Sequence, residues 1–184
     1  MKNLKIAKAV SFLALALVVA GAAVFVLLFE KKPISAEKSK AEQVFDFRND
    51  KMPWEETRAF YVPEFPGVSF KWTSSGVFAN GGQLYYGMPV WSVYLTDLNG
   101  DGLREIVSEA SMGSGIVDER VYAYDYADKK CYVLENRFVS DFSLFIKNGE
   151  LWVSETEYYP SEKSNLISER KLDFSEMKSS DGKI

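Results

Sequence analysis

The chain of 184 residues contains no histidine, and this absence excludes several kinds of chemistry. Ser-His-Asp and Cys-His catalytic arrangements, His-containing zinc sites and histidine acid–base catalysis all require that residue. The single cysteine, Cys131, can form neither an internal disulfide nor a four-cysteine zinc site. Because an exported protein can lack disulfides, the cysteine count leaves the compartment open.

Basic residues are in the minority over most of the chain. Lys2, Lys5 and Lys8 precede the first acidic residue, Glu30, and from that point 19 basic residues face 26 acidic ones, a net charge of −7. Proteins that bind nucleic acid need a basic face to meet the phosphate backbone. We therefore predict no nucleic-acid partner.

One long stretch, residues 9–29, carries no charge. As a helix it would be roughly 31 Å long, which matches a hydrocarbon core of about 30 Å. It is predicted to be a transmembrane anchor. The alternative is a cleaved signal peptide, because Ala20-Gly21-Ala22 resembles a cleavage site. The apolar run continues beyond that site to Phe29, further than a typical signal peptide, and this favours an uncleaved anchor.

Lysine counting gives the orientation of the anchor. Three lysines precede the span, and Lys31 and Lys32 follow it, so the bias favours an N-terminus inside the cell and a cell-membrane location. The expected organisation is a cytoplasmic segment at residues 1–8, the anchor at 9–29, a charged spacer at 30–43, an extracytoplasmic β domain at 44–178 and a frayed tail at 179–184.

The region beyond the spacer has the pattern of short strands separated by turns. Aromatic residues make up 15% of the chain and favour strands. Strands are predicted at residues 68–73, 77–78, 84–86, 90–96, 105–110, 120–126 and 131–135, and one short helix at 50–58. The fold class is therefore an all-β antiparallel meander or sandwich with hairpins like those of a propeller blade, behind one N-terminal transmembrane helix.

The clearest hairpin covers residues 142–153 and turns at Asn148-Gly149. A two-residue Asn-Gly loop favours a type I′ turn, because both positions tolerate a positive φ. The turn fixes the register, and the expected pairs are Lys147–Glu150, Ile146–Leu151, Phe145–Trp152 and Leu144–Val153. Since both faces then carry apolar side chains, we expect both faces of this hairpin to be covered.

Residues 97–105 read DLNGDGLRE and form the one motif that indicates chemistry. Side-chain oxygens at the first, third and fifth positions and a glycine at the sixth are typical of an oxygen-lined calcium loop. The predicted ligands of a structural Ca²⁺ are Asp97, Asn99, Asp101, the carbonyl of Leu103, and Glu105, directly or through water.

The twelfth position of this motif is Ser108, whereas an EF-hand has a bidentate glutamate there, and both flanks have a β pattern. The loop therefore resembles the calcium loops of FG-GAP and related propeller repeats, which lie between two strands. The alternative is a solvated hairpin loop, since Asp, Asn and Gly are favoured in turns without any ion.

Three longer stretches resemble a known family: residues 65–73 (FPGVSFKWT), 87–107 (GMPVWSVYLTDLNGDGLREIV) and 112–137 (MGSGIVDERVYAYDYADKKCYVLENR). They are similar to the extracytoplasmic C-terminal domain of Firmicute membrane metallopeptidases of the β-lactam-sensor (antirepressor) type. The similarity covers roughly residues 65–170. The matching positions are Trp91, Tyr94, Asp97, Gly100, Asp101, Gly102, Gly113, Ser114, Gly115, Asp118, Arg120, Tyr124 and Tyr126.

The resemblance implies an outer domain held by a single anchor, and it implies sensing by analogy alone. The peptidase itself is missing, because its H-E-x-x-H motif needs histidine. Two functions remain. The favoured one is a non-enzymatic binding or sensor-like module with a protein or cell-envelope ligand. The alternative is a cell-envelope hydrolase that uses a carboxylate pair. Tyr122, Tyr124 and Tyr126 could stack on such a ligand, although core packing is favoured.

Overall fold

The structure is a computed structural model that describes residues 40–113, 117–158 and 165–180, all of which belong to the compact unit Lys38–Ile184. The predicted anchor at 9–29 and the cytoplasmic segment at 1–8 lie outside the described residues. Within the described part of the chain, no helix is both long enough and apolar enough to cross a membrane.

The described residues form antiparallel strands and no α-helix, which confirms the all-β class. The strands are β1 (Glu42–Asp46), β2 (Thr57–Phe60), β3 (Phe70–Thr73), β4 (Gly76–Ala79), β5 (Gly82–Tyr86), β6 (Ser92–Thr96), β7 (Glu105–Met112), β8 (Asp118–Asp125), β9 (Lys130–Leu134), β10 (Ser140–Lys147), β11 (Glu150–Glu157), β12 (Leu166–Lys171) and β13 (Lys178–Ser180). A single 3-10 turn, Phe174–Glu176, precedes β13.

These strands form three sheets. The largest has six strands in the order β1-β6-β7-β8-β9-β13, and it is accompanied by the four-stranded sheet β2-β3-β4-β5 and the three-stranded sheet β10-β11-β12. Two separate apolar cores lie on the two faces of the six-stranded sheet. One core joins it to β2–β5, and the other joins it to β10 and β11.

Burial along β7 shows how the central sheet serves both cores. All eight of its residues are buried. Ile106 and Ala110 contribute to the core shared with β2–β5, whereas Val107 contributes to the core shared with β10 and β11. Because successive side chains of a strand point to opposite faces, a strand covered on both sides shows no alternation of buried and exposed residues.

The tyrosine stripe of β8 belongs to the core. The ring of Tyr122 stacks on that of Tyr85, with centroids 5.5 Å apart, and Tyr126 lies against Phe65 and Phe70. The core-packing interpretation of this stripe is therefore confirmed, and Tyr122 is not available as a platform for a ligand.

The 142–153 hairpin has the predicted register at all four pairs. Asn148 and Gly149 have positive φ angles of 56° and 77°, as the turn requires. The expectation that both faces are covered was wrong. Leu144 and Val153 are buried on the inner face, but Phe145 and Trp152 on the outer face are only half-buried. Among the described residues, no further sheet covers the outer side of β10–β12.

The predicted helix at residues 50–58 is absent. The segment forms turns and then β2, where pairing with β3 takes up Thr57 and Arg58. Just before the segment, the carboxylate of Asp46 accepts the N–H groups of Arg48 and Asn49 and favours a tight turn. Two boundaries also differ. β1 starts at Glu42, inside the predicted spacer, where its pairing with β6 orders the backbone. β13 continues to Ser180, inside the predicted tail, because it pairs with β9.

Candidate metal centre

The acidic motif forms the loop between β6 and β7. These strands are antiparallel neighbours, and their last registered pair is Thr96 with Glu105. The motif is thus a hairpin loop that joins two interior strands of the doubly covered sheet. This is the strand–loop–strand context that the sequence predicted.

Asp97 organises the first half of the loop. Its Oδ1 accepts the N–H of Gly100 at 2.8 Å, and its Oδ2 accepts the N–H of Gly102 at 3.1 Å. Both glycines have φ near the left-handed region, 80° and 87°, where a side chain would be strained. The glycines therefore allow the loop to fold around the Asp97 carboxylate.

Asn99 and Asp101 organise the second half in the same way. Oδ1 of Asn99 accepts the N–H of Asp101 at 2.8 Å, and Oδ1 of Asp101 accepts the N–H of Leu103 at 2.7 Å. The amide group of Asn99 also lies 3.4 Å from Oδ2 of Asp101 and 3.4 Å from Oδ2 of Asp125. These contacts hold the polar side chains together on one side of the loop.

Three carboxylates converge beside this loop. Each of Asp101, Glu105 and Asp125 offers an oxygen, and these oxygens lie within 4.8 Å of one another. Asp101 is exposed, whereas Glu105 and Asp125 are buried. Carboxylate oxygens at such spacing are ligands suited to a hard cation such as Ca²⁺.

Glu105 is the most constrained member of the cluster. It is 1% exposed, and its Oε2 accepts the N–H of Leu98 at 2.6 Å. Burial raises the pKa of Glu105 to about 7, and the charges of Asp101 and Asp125 act in the same direction against the hydrogen bond from Leu98. The negative form is therefore disfavoured, and a divalent cation at this position would offset the repulsion.

Asp125 is the residue that sequence reasoning missed. It ends β8, and its Oδ1 accepts the N–H of Asp128 in the following turn at 2.9 Å. The register of β7 and β8 pairs Ile106 with Tyr124, which brings Asp125 next to Glu105. The motif could not indicate a ligand twenty residues away, but the register of the predicted 105–110 and 120–126 strands would have done so.

The predicted ligands are thus only partly brought together. Asp101 and Glu105 share the cluster with Asp125, and Asn99 lies beside it. Asp97 is not among the three clustered carboxylates and is held by loop amides, and Leu103 donates its N–H to Asp101. Ser108 is buried and bonded to the hydroxyl of Tyr85 at 2.7 Å, so it takes no part in the loop.

A second acidic cluster lies at the opposite end of β7 and involves Glu109 and Glu119. The guanidinium of Arg48 forms ion pairs with both carboxylates and stacks on the ring of Trp91 at 4.0 Å. Trp91 Nε1 and Ser111 Oγ also donate to Glu119, at 3.0 and 2.8 Å. The two carboxylates thus share the single positive charge of Arg48 and are fixed by hydrogen bonds, as in a structural ion-pair network.

Cys131 is buried in the core beside β8, and burial raises the pKa of its thiol to about 12. The thiol is therefore protonated at neutral pH and is a weak nucleophile.

Comparison with known proteins adds no assignment: no protein-family model, no curated protein and no solved structure matches this chain.

Proposed function

We propose that this chain is a membrane-anchored, extracytoplasmic binding module whose fold is braced by one Ca²⁺ ion at the β6–β7 loop. The observation that carries the calcium assignment is the convergence of Asp101, Glu105 and Asp125, two of which the D-x-N-x-D-G-x-x-E motif supplies. The resemblance of the loop to those of FG-GAP repeats supports the same ligand class.

The role of the ion is structural. It would tie the β6–β7 loop to the end of β8, because Asp101 and Glu105 come from the first and Asp125 from the second. Loops of extracellular modules bind Ca²⁺ with dissociation constants of about 10⁻⁴ to 10⁻³ M. At a free calcium concentration of about ten times the dissociation constant, binding stabilises the folded state by roughly 1.4 kcal/mol. That is small beside a typical domain stability of about 5–15 kcal/mol.

The module is proposed to be non-enzymatic. Glycoside hydrolysis by a carboxylate pair needs two carboxyls that face the same substrate, one of them free to give a proton. Glu109 and Glu119 are both held by Arg48, and the buried Glu109 also accepts the N–H of Leu144 at 3.2 Å. These contacts favour a role in fixing the turn after β1 against β7 and β8 over a role in catalysis.

The anchor at residues 9–29 and the placement of the domain outside the cytoplasm complete the proposal. They are supported by the uncharged run of the sequence, by the lysine bias and by the resemblance to a domain that follows a membrane protein. The ligand is a protein or a component of the cell envelope.

The test of the calcium assignment is the thermal unfolding of the full chain with calcium and with chelator. We expect a higher melting temperature in calcium and a protein that stays folded in chelator. Replacing Asp101 by Ala should abolish the calcium-dependent difference, whereas replacing the exposed Asp128 by Ala should leave it in place. Coincident melts of the unmutated chain in calcium and in chelator would show that the loop is only a turn.

A further inference from the structure

The tip of the β10–β11 hairpin carries a group of lysines on a domain that is otherwise acidic. We define the tip surface as Lys40, Ile146, Lys147, Asn148 and Lys171. Ile146 is 38% exposed, although the equivalent inner-face side chains further from the turn are buried. The ammonium of Lys147 lies over the ring of Trp152 at 4.4 Å. An exposed aliphatic side chain and lysines beside a half-buried tryptophan suit a surface that meets a membrane interface.

The incoming chain reaches the domain at this tip. The N–H of Ala41 donates to the carbonyl of Gly149 at 2.9 Å. The side chain of Lys40 lies so close to Gly149 that a Cβ there would approach its Cγ to 3.3 Å. Eleven residues separate the predicted span from Ala41, and an extended chain of that length reaches at most about 40 Å. The tip surface therefore lies within reach of the bilayer that holds the anchor.

A cleft of about 290 Å³ opens beside the tip surface. Its lining includes Lys40, Lys171, Asp97, Leu98 and the turn residue Gly149. Glu150 also lines the cleft, where it forms an ion pair with Lys171 at 2.6 Å. The cleft is thus large enough for a lipid headgroup, and Lys40 is a cation at its edge.

We propose that the tip surface docks on the anionic phospholipid surface of the membrane in which the chain is anchored, with the cleft accepting a phosphate-bearing headgroup. The inference rests on the anchor of the proposed function. Charge complementarity selects this occupant, because the lysines concentrate where the chain enters from the membrane, although the exported part has a net charge of −7.

The test is hydrogen exchange of the full chain in nanodiscs of phosphatidylcholine, with and without phosphatidylglycerol. Backbone amides of residues 145–151 should exchange more slowly on the discs that contain phosphatidylglycerol. Each lysine near an anionic surface changes a docking equilibrium by about fivefold. The variant with Lys40→Gln and Lys147→Gln should therefore shift it by roughly 25-fold and lose the protection.

The matched control removes two lysines elsewhere, Lys51→Gln and Lys71→Gln, and should keep the protection. Equal exchange on the two lipid mixtures would overturn the inference. Protection on phosphatidylcholine alone that grows with protein concentration would also overturn it, because it would assign the face to a second copy. N-terminal sequencing of the purified chain tests the anchor separately. A start near Ala23 would overturn the anchor and with it the docking, whereas equal exchange by a chain that keeps its anchor would overturn the docking alone.

Discussion

At the scale of single residues, Asp125 allows the sharpest distinction between a metal site and an ordinary turn. The substitution Asp125→Asn keeps an acceptor for the N–H of Asp128 and removes one of three clustered charges. In chelator the variant should be at least as stable as the parent, because repulsion with Asp101 and Glu105 is relieved. The variant should bind Ca²⁺ about tenfold more weakly than the parent, as expected from the loss of a charged ligand.

The measurements for Asp125→Asn are calcium titration by calorimetry and thermal unfolding in chelator. Asp128→Asn is the matched control, because Asp128 is exposed and belongs to the same turn but not to the cluster. An unchanged calcium affinity in Asp125→Asn would remove this residue from the site. A large loss of stability in chelator would show that its charge serves the turn.

Glu109 should make the stability of the domain depend on pH. Burial raises the pKa of Glu109 to about 7 from 4.5, and the nearby charge of Glu119 adds to this against the opposing effect of Arg48 and the N–H of Leu144. Asp46 and Tyr94 also lie near this network. Because the folded state holds the proton of Glu109 more tightly than the unfolded state does, protonation of Glu109 stabilises the fold. This stabilisation is complete below about pH 4.5 and is lost as the pH rises to about 7.

We therefore expect Glu109→Gln to flatten the fall in stability between about pH 4.5 and 7, by a change of a few kcal/mol. Part of the slope should remain, because burial also raises the pKa values of Glu105 and Glu119. Urea unfolding at a series of pH values measures it. Glu169→Gln, which removes an exposed carboxyl, is the control, and an identical slope in parent and Glu109→Gln would contradict the assignment.

At the scale of elements, the β10–β11 hairpin depends on its turn. Gly149 has a φ of 77°, and a Cβ there would lie 3.3 Å from Cγ of Lys40. Gly149→Ala should therefore lower the free energy of unfolding by about 1–2 kcal/mol, the usual penalty of a left-handed conformation. Gly67→Ala is the control, because a Cβ at Gly67 meets nothing within 4 Å. Equal unfolding curves for the two variants would show that the turn tolerates a side chain.

Single elements also show which features of the fold can be predicted from the sequence and which cannot. The Asn148-Gly149 turn predicted the register of its hairpin, because the backbone conformation of two residues fixes every pair that follows. The extent of burial was not predictable, since Phe145 and Trp152 look like core residues until the sheets are assembled. Asp125 was missed because its proximity to Glu105 depends on strand pairing. The helix predicted at 50–58 is absent for a similar reason, since Thr57 and Arg58 pair with β3.

At the scale of the whole domain, the doubly covered central sheet should make unfolding a single event. Val77 of β4 lies in one core and Val153 of β11 in the other, and both are 0% exposed. Strands β6, β7 and β8 contribute side chains to both cores, so neither core can be lost while the central sheet keeps its packing. Val77→Ala and Val153→Ala remove the same two methyl groups, and each should cost about 2–3 kcal/mol.

We therefore expect each of these two variants to lower one common transition. Tryptophan fluorescence and far-ultraviolet circular dichroism should report coincident curves for the parent and for both variants. The matched substitutions control for each other, because they differ only in the outer sheet that they weaken. If Val153→Ala produced a separate early transition while Val77→Ala shifted only the later one, the three-stranded sheet would be a separate cooperative unit. The central sheet would then not couple the two cores.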